Sequence, residues 1–225
     1  THSGVVSSYN AMNKVISKKI FKKNKINSPK YFVLEKENYN PVFLNKMMKK
    51  NKMKFPIVVK PVSEGSSIGV KICKNISELN KASKSLFKKY IELILESYIG
   101  GQEIQVAVLN KAPLGAIELE PKRKFYDYKA KYSKAAKTKH IMPANLKKSR
   151  YQEVLKIAKK AHQVLGCKGI TRSDFKYFNN QFYLLETNTQ PGMTSLSLVP
   201  EIASYRGISF EKLVKKILLN ASLNR

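Results

Sequence analysis

Residues 171–189, TRSDFKYFNNQFYLLETNT, read as two strands closed by a tight Asn-rich turn. Side chains two apart on a strand share a face. Arg172 and Asp174 therefore project together from the first strand, and Glu186 and Asn188 from the second. A three-residue turn, or two residues plus a bulge, sets Asp174 opposite Glu186 and Arg172 opposite Asn188, with all four on one surface. Two carboxylates and an amide oxygen then converge. Hard oxygen ligands of this kind suit a magnesium ion, which keeps several waters and takes further ligands from nucleotide phosphates. Without a cation the two carboxylates would repel. The plainer reading is the polar outer face of a hairpin, balanced by Arg172.

Upstream, IVVKPVSEGSSIG (57–69) places a lysine at the end of an apolar strand, followed by a loop of small residues. Lys60 at such a strand end can set its ammonium on a phosphate, while Ser66, Ser67 and nearby backbone N–H groups close over the phosphate chain. The stretch is neither a Walker motif nor a dinucleotide fingerprint, because GxxxxGK[ST] and GxGxxG are absent. Taken alone, Lys60 is a solvated lysine in a lysine-rich protein.

Working outward, the first 26 residues run from a short Ser/Gly segment into one helix, with Ser7 or Ser8 as its cap. YFVLE and FPIVVKP read as strands, and SIGVKIC closes a hairpin around residues 63–69. Ser77 caps the helix that follows, ending near Tyr90, before the strand IELILESYI. Gly100-Gly101 breaks the chain, which divides it into residues 1–99 and 100–225. EIQVAVLN and APLGAIELE form a hairpin about Asn110-Lys111, and the long irregular stretch 121–146 after it is of a kind usually retained for function. Val154, Ala158, Ala161 and Leu165 line one face of a helix that Gly166 stops, and residues 209–219 read as a last amphipathic helix.

Composition narrows the class. The chain has 225 residues, 43% of them hydrophobic, enough for one large domain or two small ones. No apolar run reaches the ~20 residues of a membrane span, so a cytoplasmic protein with no membrane partner is expected. Cys73 and Cys167 stand alone, which indicates neither a disulfide framework nor a zinc site. The net charge of +28 attracts nucleic acid, anionic membranes and phosphorylated ligands alike. Lysine supplies all but five of the 43 basic residues, spread among Asn and Ile, a pattern of compositional bias rather than a nucleic-acid stripe. The only aspartates are Asp127 and Asp174.

Seven stretches now add up to a resemblance: THSGVVSSYNAMNK, VVKPVSEGSSIGV, ESYIGGQEIQVAVL, FYDYKAKY, MPANL, LGCKGITRSDF and LLETNTQPGMTSLSLVP. In this order and spacing they resemble the D-alanine–D-alanine ligases of the ATP-grasp superfamily, from Thr1 to the C-terminus. ETNTQPGMT followed by SLVP separates these ligases from ATP-grasp relatives that share only lysines and carboxylates. The resemblance implies an α+β ATP-grasp fold, with two α/β subdomains of mainly antiparallel sheet enclosing a nucleotide cleft. The activity it implies joins two D-alanines at the expense of ATP, through an acyl phosphate, for peptidoglycan precursor synthesis. Cofactors would be ATP with Mg2+ or Mn2+, and the complete enzyme would be a homodimer.

The family's roles fall on particular positions. Lys14 and Lys60 match the lysines that hold ATP phosphates, and Ser66 and Ser67 the loop that covers them. Glu96 matches the position beside adenine, Glu103 the ribose-binding acid. Lys131 resembles a loop lysine reaching the γ-phosphate, and Tyr132 helps hold that loop shut; residues 125–143 would form a lid. Asp174, Glu186 and Asn188 match the metal ligands. Arg172 and the Gly192 N–H match the group stabilising the tetrahedral intermediate, and Ser197 with the Leu198 N–H the holders of the acceptor carboxylate. A tyrosine at position 132 accompanies dipeptide rather than D-lactate ester formation.

Two departures matter. Asn13 stands where the family usually has aspartate, and the family's N-terminal domain, with HGxxGEDG and a glutamate near the first D-alanine, has no counterpart. These 225 residues alone are therefore expected to bind ATP with magnesium but to make dipeptide slowly. Two other readings compete. A different ATP-grasp carboxylate–amine ligase would keep Lys60, Asp174 and Glu186 but need another acceptor pocket. A non-enzymatic basic module would bind polyanions with steep salt dependence.

Overall fold

A computed structural model describes residues 1–120 and 138–222. The chain forms two compact units. One gathers Asn13–Val15 and Pro29–Ile99 about a four-stranded sheet; the other gathers Thr1–Met12, Ile16–Ser28 and Gly100–Arg225 about a five-stranded sheet.

In the four-stranded unit the strands are β1 (Tyr31–Glu35), β2 (Ile57–Pro61), β3 (Lys71–Cys73) and β4 (Glu92–Ser97), ordered β1-β4-β2-β3 and antiparallel throughout. Alternation decides which face is buried. Phe32, Leu34, Ile57, Val59, Leu93 and Leu95 form a core with residues of two helices, Pro41–Lys50 and Ile76–Leu86. The opposite face carries Val58, Lys60 and Glu96, and this is the face with chemistry to offer.

The five-stranded sheet runs β7-β6-β5-β8-β9, from β5 (Gln102–Leu109), β6 (Ala112–Glu120), β7 (Lys139–Ile141), β8 (Ile170–Phe178) and β9 (Gln181–Asn188). On one face Ile104, Val106, Phe175 and Leu184 pack against the helix Lys148–Val164 and against Ala11, Phe21 and Ile26 near the start of the chain. On the other, Ala107, Ile117 and Leu119 meet the helices Leu198–Tyr205 and Phe210–Leu219. Polar residues of that second face occupy the part of the sheet these helices leave.

Several local expectations need correction. Residues 1–28 were expected to belong with 29–99; most of them join the five-stranded unit, because Ala11, Phe21 and Ile26 bury their side chains there. The opening helix is broken at Asn13 into Val5–Met12 and Lys14–Lys23, where the Asn13 Oδ1 accepts from the Val15 N–H at 3.0 Å. Ser7 and Ser8 lie inside the first of these helices rather than capping it. Asn75, not Ser77, caps the helix at 76–86, its side chain accepting from the Glu78 N–H at 2.9 Å, and that helix stops at Leu86. The helix Pro41–Lys50 and the short strand β7 have no counterpart in the sequence reading.

Candidate active site

The β8–β9 hairpin turns on two residues, Asn179 and Asn180, both at positive φ (46° and 61°), the geometry asparagine tolerates in tight hairpin turns. A bulge follows between Asp174 and Phe175. Of the two alternatives left open by the sequence, two residues plus a bulge is the one adopted. Asp174 pairs with Glu186 and Arg172 with Asn188. Both carboxylates therefore stand on one sheet face.

The charges on that face are already organised. Arg172 grips Asp174 with two bonds, Nε to Oδ1 at 2.8 Å and Nη2 to Oδ2 at 2.9 Å. Such a fork is geometrically specific. One row further along, Lys176 Nζ lies 3.0 Å from Glu103 Oε2. Asn188 has a buried amide nitrogen with no hydrogen-bond partner among the described residues. Asp174, Glu186 and the side-chain oxygen of Asn188 share this face. A small oxygen-seeking cation suits that set of oxygen donors. Among the described residues no three His, Cys, Asp or Glu side chains gather, so such an ion would rely on two carboxylates, Asn188 and ligands brought with a substrate.

Beyond β9, residues 190–198 fold back on themselves. Ser197 Oγ accepts from the Thr194 N–H at 3.0 Å, and a side chain at Gly192 would come within 2.7 Å of that same oxygen. A larger residue there would require the Ser197 side chain to shift. Ser197 is the cap position of the helix Leu198–Tyr205, yet its side chain makes no capping bond, and the Leu198 N–H belongs to the helix's first turn. Gly192, Ser197 and Leu198 are thereby brought together at a helix N-terminus suited to a carboxylate.

In the four-stranded unit, Lys60 and Glu96 are buried and form an ion pair of 2.9 Å. Strand order sets this contact, since β2 and β4 are neighbours and Glu96 sits diagonally from Lys60. Lys14 is buried as well. Its backbone N–H donates to the Val62 carbonyl at 3.0 Å and its ammonium to the Glu64 carbonyl, so it ties down the start of the 62–70 loop. Tyr90 adds a bond to the Glu64 carboxylate at 3.0 Å. Within the loop, Ser66 and Ser67 both adopt positive φ (50° and 61°), turning the chain sharply, while Gly69 at +72° lies where a side chain would strike Pro61.

Each unit thus assembles its own candidates: Lys14, Lys60, Glu96, Ser66 and Ser67 in one, Glu103, Arg172, Asp174, Glu186, Asn188, Gly192, Ser197 and Leu198 in the other. Lys131 and Tyr132, with most of the expected lid, lie outside the described residues. The sequence reading missed Gln105, which pairs directly with Asp174 across β5 and β8. The signal was present in EIQVAVL, where Glu103 and Gln105 alternate with apolar residues and so share a face.

Comparison with known proteins identifies the family. A family model described as the D-ala D-ala ligase C-terminus matches residues 20–219. A D-alanine–D-alanine ligase of Pelagibacter ubique (strain HTCC1062) is 56% identical over 225 residues, covering 100% of this chain and 73% of that protein. Among solved structures, the D-alanine–D-alanine ligase of Bacillus anthracis superposes with a TM-score of 0.85 at 33% identity, covering 98% of this chain and 70% of that one. The same organism's ligase complexed with ATP gives 0.82 at 30% identity, covering 98% and 69%. A match of this extent, with the Asp174–Glu186 pair and the 192–198 turn in place, means that the chain belongs to the D-alanine–D-alanine ligase family and has its ATP-grasp fold.

Proposed function

We propose that the protein joins two D-alanines into D-alanyl-D-alanine at the expense of ATP, supplying a peptidoglycan precursor in the cytoplasm. The observation that carries this reading is the register of β8 and β9, which sets Asp174 and Glu186 side by side beside Asn188. A carboxylate is a poor acyl donor. In the proposed reaction a carboxylate oxygen of the first D-alanine attacks the γ-phosphorus, the bond to the β–γ bridging oxygen breaks, and ADP leaves. The amine of the second D-alanine then attacks the acyl phosphate carbon and loses a proton. Phosphate departs as the amide forms.

The roles follow from charge and position. Lys14 and Lys60 hold phosphate oxygens, and Ser66 with Ser67 closes over them. Glu96 and Glu103 receive adenine and ribose. Asp174, Glu186 and Asn188 would hold magnesium, which when bound would supply positive charge to the phosphoryl oxygens. Arg172 and the Gly192 N–H meet the oxyanion of the tetrahedral intermediate. Ser197 and the Leu198 N–H receive the acceptor's carboxylate, where the helix end favours negative charge. Lys131 and Tyr132 complete the phosphate contacts and the closure that keeps water from the acyl phosphate. The working enzyme is a homodimer.

ATP titration by calorimetry, with and without magnesium, tests the nucleotide half of this reading, and D-alanyl-D-alanine release tests the rest. Saturable, magnesium-dependent ATP binding with dipeptide as product is expected. Binding only to polyanions, lost steeply as salt rises, would overturn it. Phosphate release driven by a different amine would instead identify another carboxylate–amine ligase.

A further inference from the structure

Gln105 on β5 lies opposite Asp174, which on its other side lies opposite Glu186. One amide and two carboxylates therefore form a row across three adjacent strands. Gln105 is 1% exposed, and its Oε1 has no hydrogen-bond partner among the described residues. Leaving a buried acceptor without a donor is unfavourable, and an apolar residue of the same shape would avoid that loss.

Its neighbours on that face do not relieve it. Ile117, its partner across β6, and Ala107, two residues along β5, are apolar. The Glu103 carboxylate engages Lys176, and both Asp174 oxygens take up the Arg172 guanidinium. Ionised carboxylates accept hydrogen bonds and cannot donate one. Among the described residues no donor is left for it.

We propose that Gln105 is an outer-sphere residue of the magnesium site, its Oε1 accepting a hydrogen bond from a water carried by the ion that Asp174 and Glu186 hold. This rests on the site assignment made under the proposed function. Magnesium dehydrates reluctantly and keeps several waters, whose protons are strong donors. Partners of this outer kind typically change metal affinity by about 10–100-fold. Gln105 is thus a positioning residue, acting through water on the ion rather than on the reacting atoms.

Two variants test it. Gln105→Met keeps the length and removes the acceptor, whereas Gln105→Glu keeps an acceptor at the same place. Each is compared with wild type by melting without ligand, by magnesium titration at fixed ATP, and by ATP titration without magnesium. For Gln105→Met the expected result is an unliganded melting temperature equal to or above wild type, with magnesium affinity weakened about 10-fold or more. ATP affinity without magnesium should stay unchanged, and Gln105→Glu should return magnesium affinity to near wild type. Unaltered magnesium affinity in Gln105→Met, a lowered unliganded melting temperature, or failure of the Glu variant to recover affinity would each overturn the proposal. If wild type itself shows no magnesium-dependent ATP binding, the site assignment fails and takes this inference with it.

Discussion

Asp174 and Glu186 meet only because of a bulge beside a two-residue turn, and a residue placed this way serves the site more than the core. Glu186→Ala should lower dipeptide synthesis by about 100-fold or more, the scale of losing one electrostatic contact to the transition state. Melting should move little, as for substitutions outside the core. A large fall in melting temperature with synthesis retained would return Glu186 to a structural role. Lys60 and Glu96 behave oppositely, because their 2.9 Å pair is buried. Lys60→Met should destabilise by roughly 3–5 kcal/mol, as breaking a buried pair does, and adding Glu96→Gln should recover most of it. Denaturant melts of the single and double variants decide this. The first pairing was legible in the sequence, where alternation and a short turn fix the register. The second was not, since residues 36 positions apart meet only through the order β1-β4-β2-β3. His162 shows the same limit. It is buried with Nδ1 2.9 Å from the Thr171 hydroxyl, and burial, with a smaller effect of Lys111, pushes its pKa down to about 4 from 6.5. The unfolded chain therefore takes up this proton first as pH falls. The stability contribution is present above about pH 6.5 and is lost progressively toward pH 4. Replacing His162 with Gln should flatten stability across that window; an unchanged slope between pH 6.5 and 4 would refute the assignment.

At the level of elements, the disagreement over the 76–86 helix is itself testable. Asn75 caps it through the Glu78 N–H, while the Glu78 carboxylate returns to the Lys74 N–H at 2.8 Å. This reciprocal pattern satisfies two donors at once. Asn75→Ala should cost about 1 kcal/mol in thermal or urea unfolding, and Ser77→Ala should cost close to nothing. The reverse order would restore the cap expected from sequence. The signal for Asn75 was readable, since Asn-x-x-Glu spacing is a helix start, but the adjacent serine competes for the same role by composition alone. The helix Pro41–Lys50 shows why some elements escape. Asn40 and Pro41 mark its start, yet only Leu44 and Met48 of its ten residues are buried, too few to give a clear period.

For the whole molecule, the break at Gly100 was legible because paired glycines interrupt two apolar strands. The return of residues 1–28 to the five-stranded unit was not, because the hydrophobic cluster that includes Phe21, Phe175 and Leu184 gathers residues from most of the chain's length. The net charge of +28 acts on both units together. Self-repulsion of like charges destabilises compact states and is screened by salt, so melting temperature should rise as sodium chloride goes from about 0.01 to 0.15 M, where the screening length shortens from roughly 30 to 8 Å. A flat or falling melting temperature over that range would show that oppositely charged pairs dominate instead. The two cores also hold one cysteine each: Cys73 in the four-stranded unit and Cys167 in the five-stranded one, both buried. Desolvation pushes each thiol up to about 11, which leaves almost no thiolate at neutral pH. An alkylating reagent therefore has to wait for the surrounding core to open. Labelling time courses resolved by peptide mass would act as two independent clocks in one unmodified chain, one reading the opening free energy of each half, with ATP added or withheld showing which half it quiets.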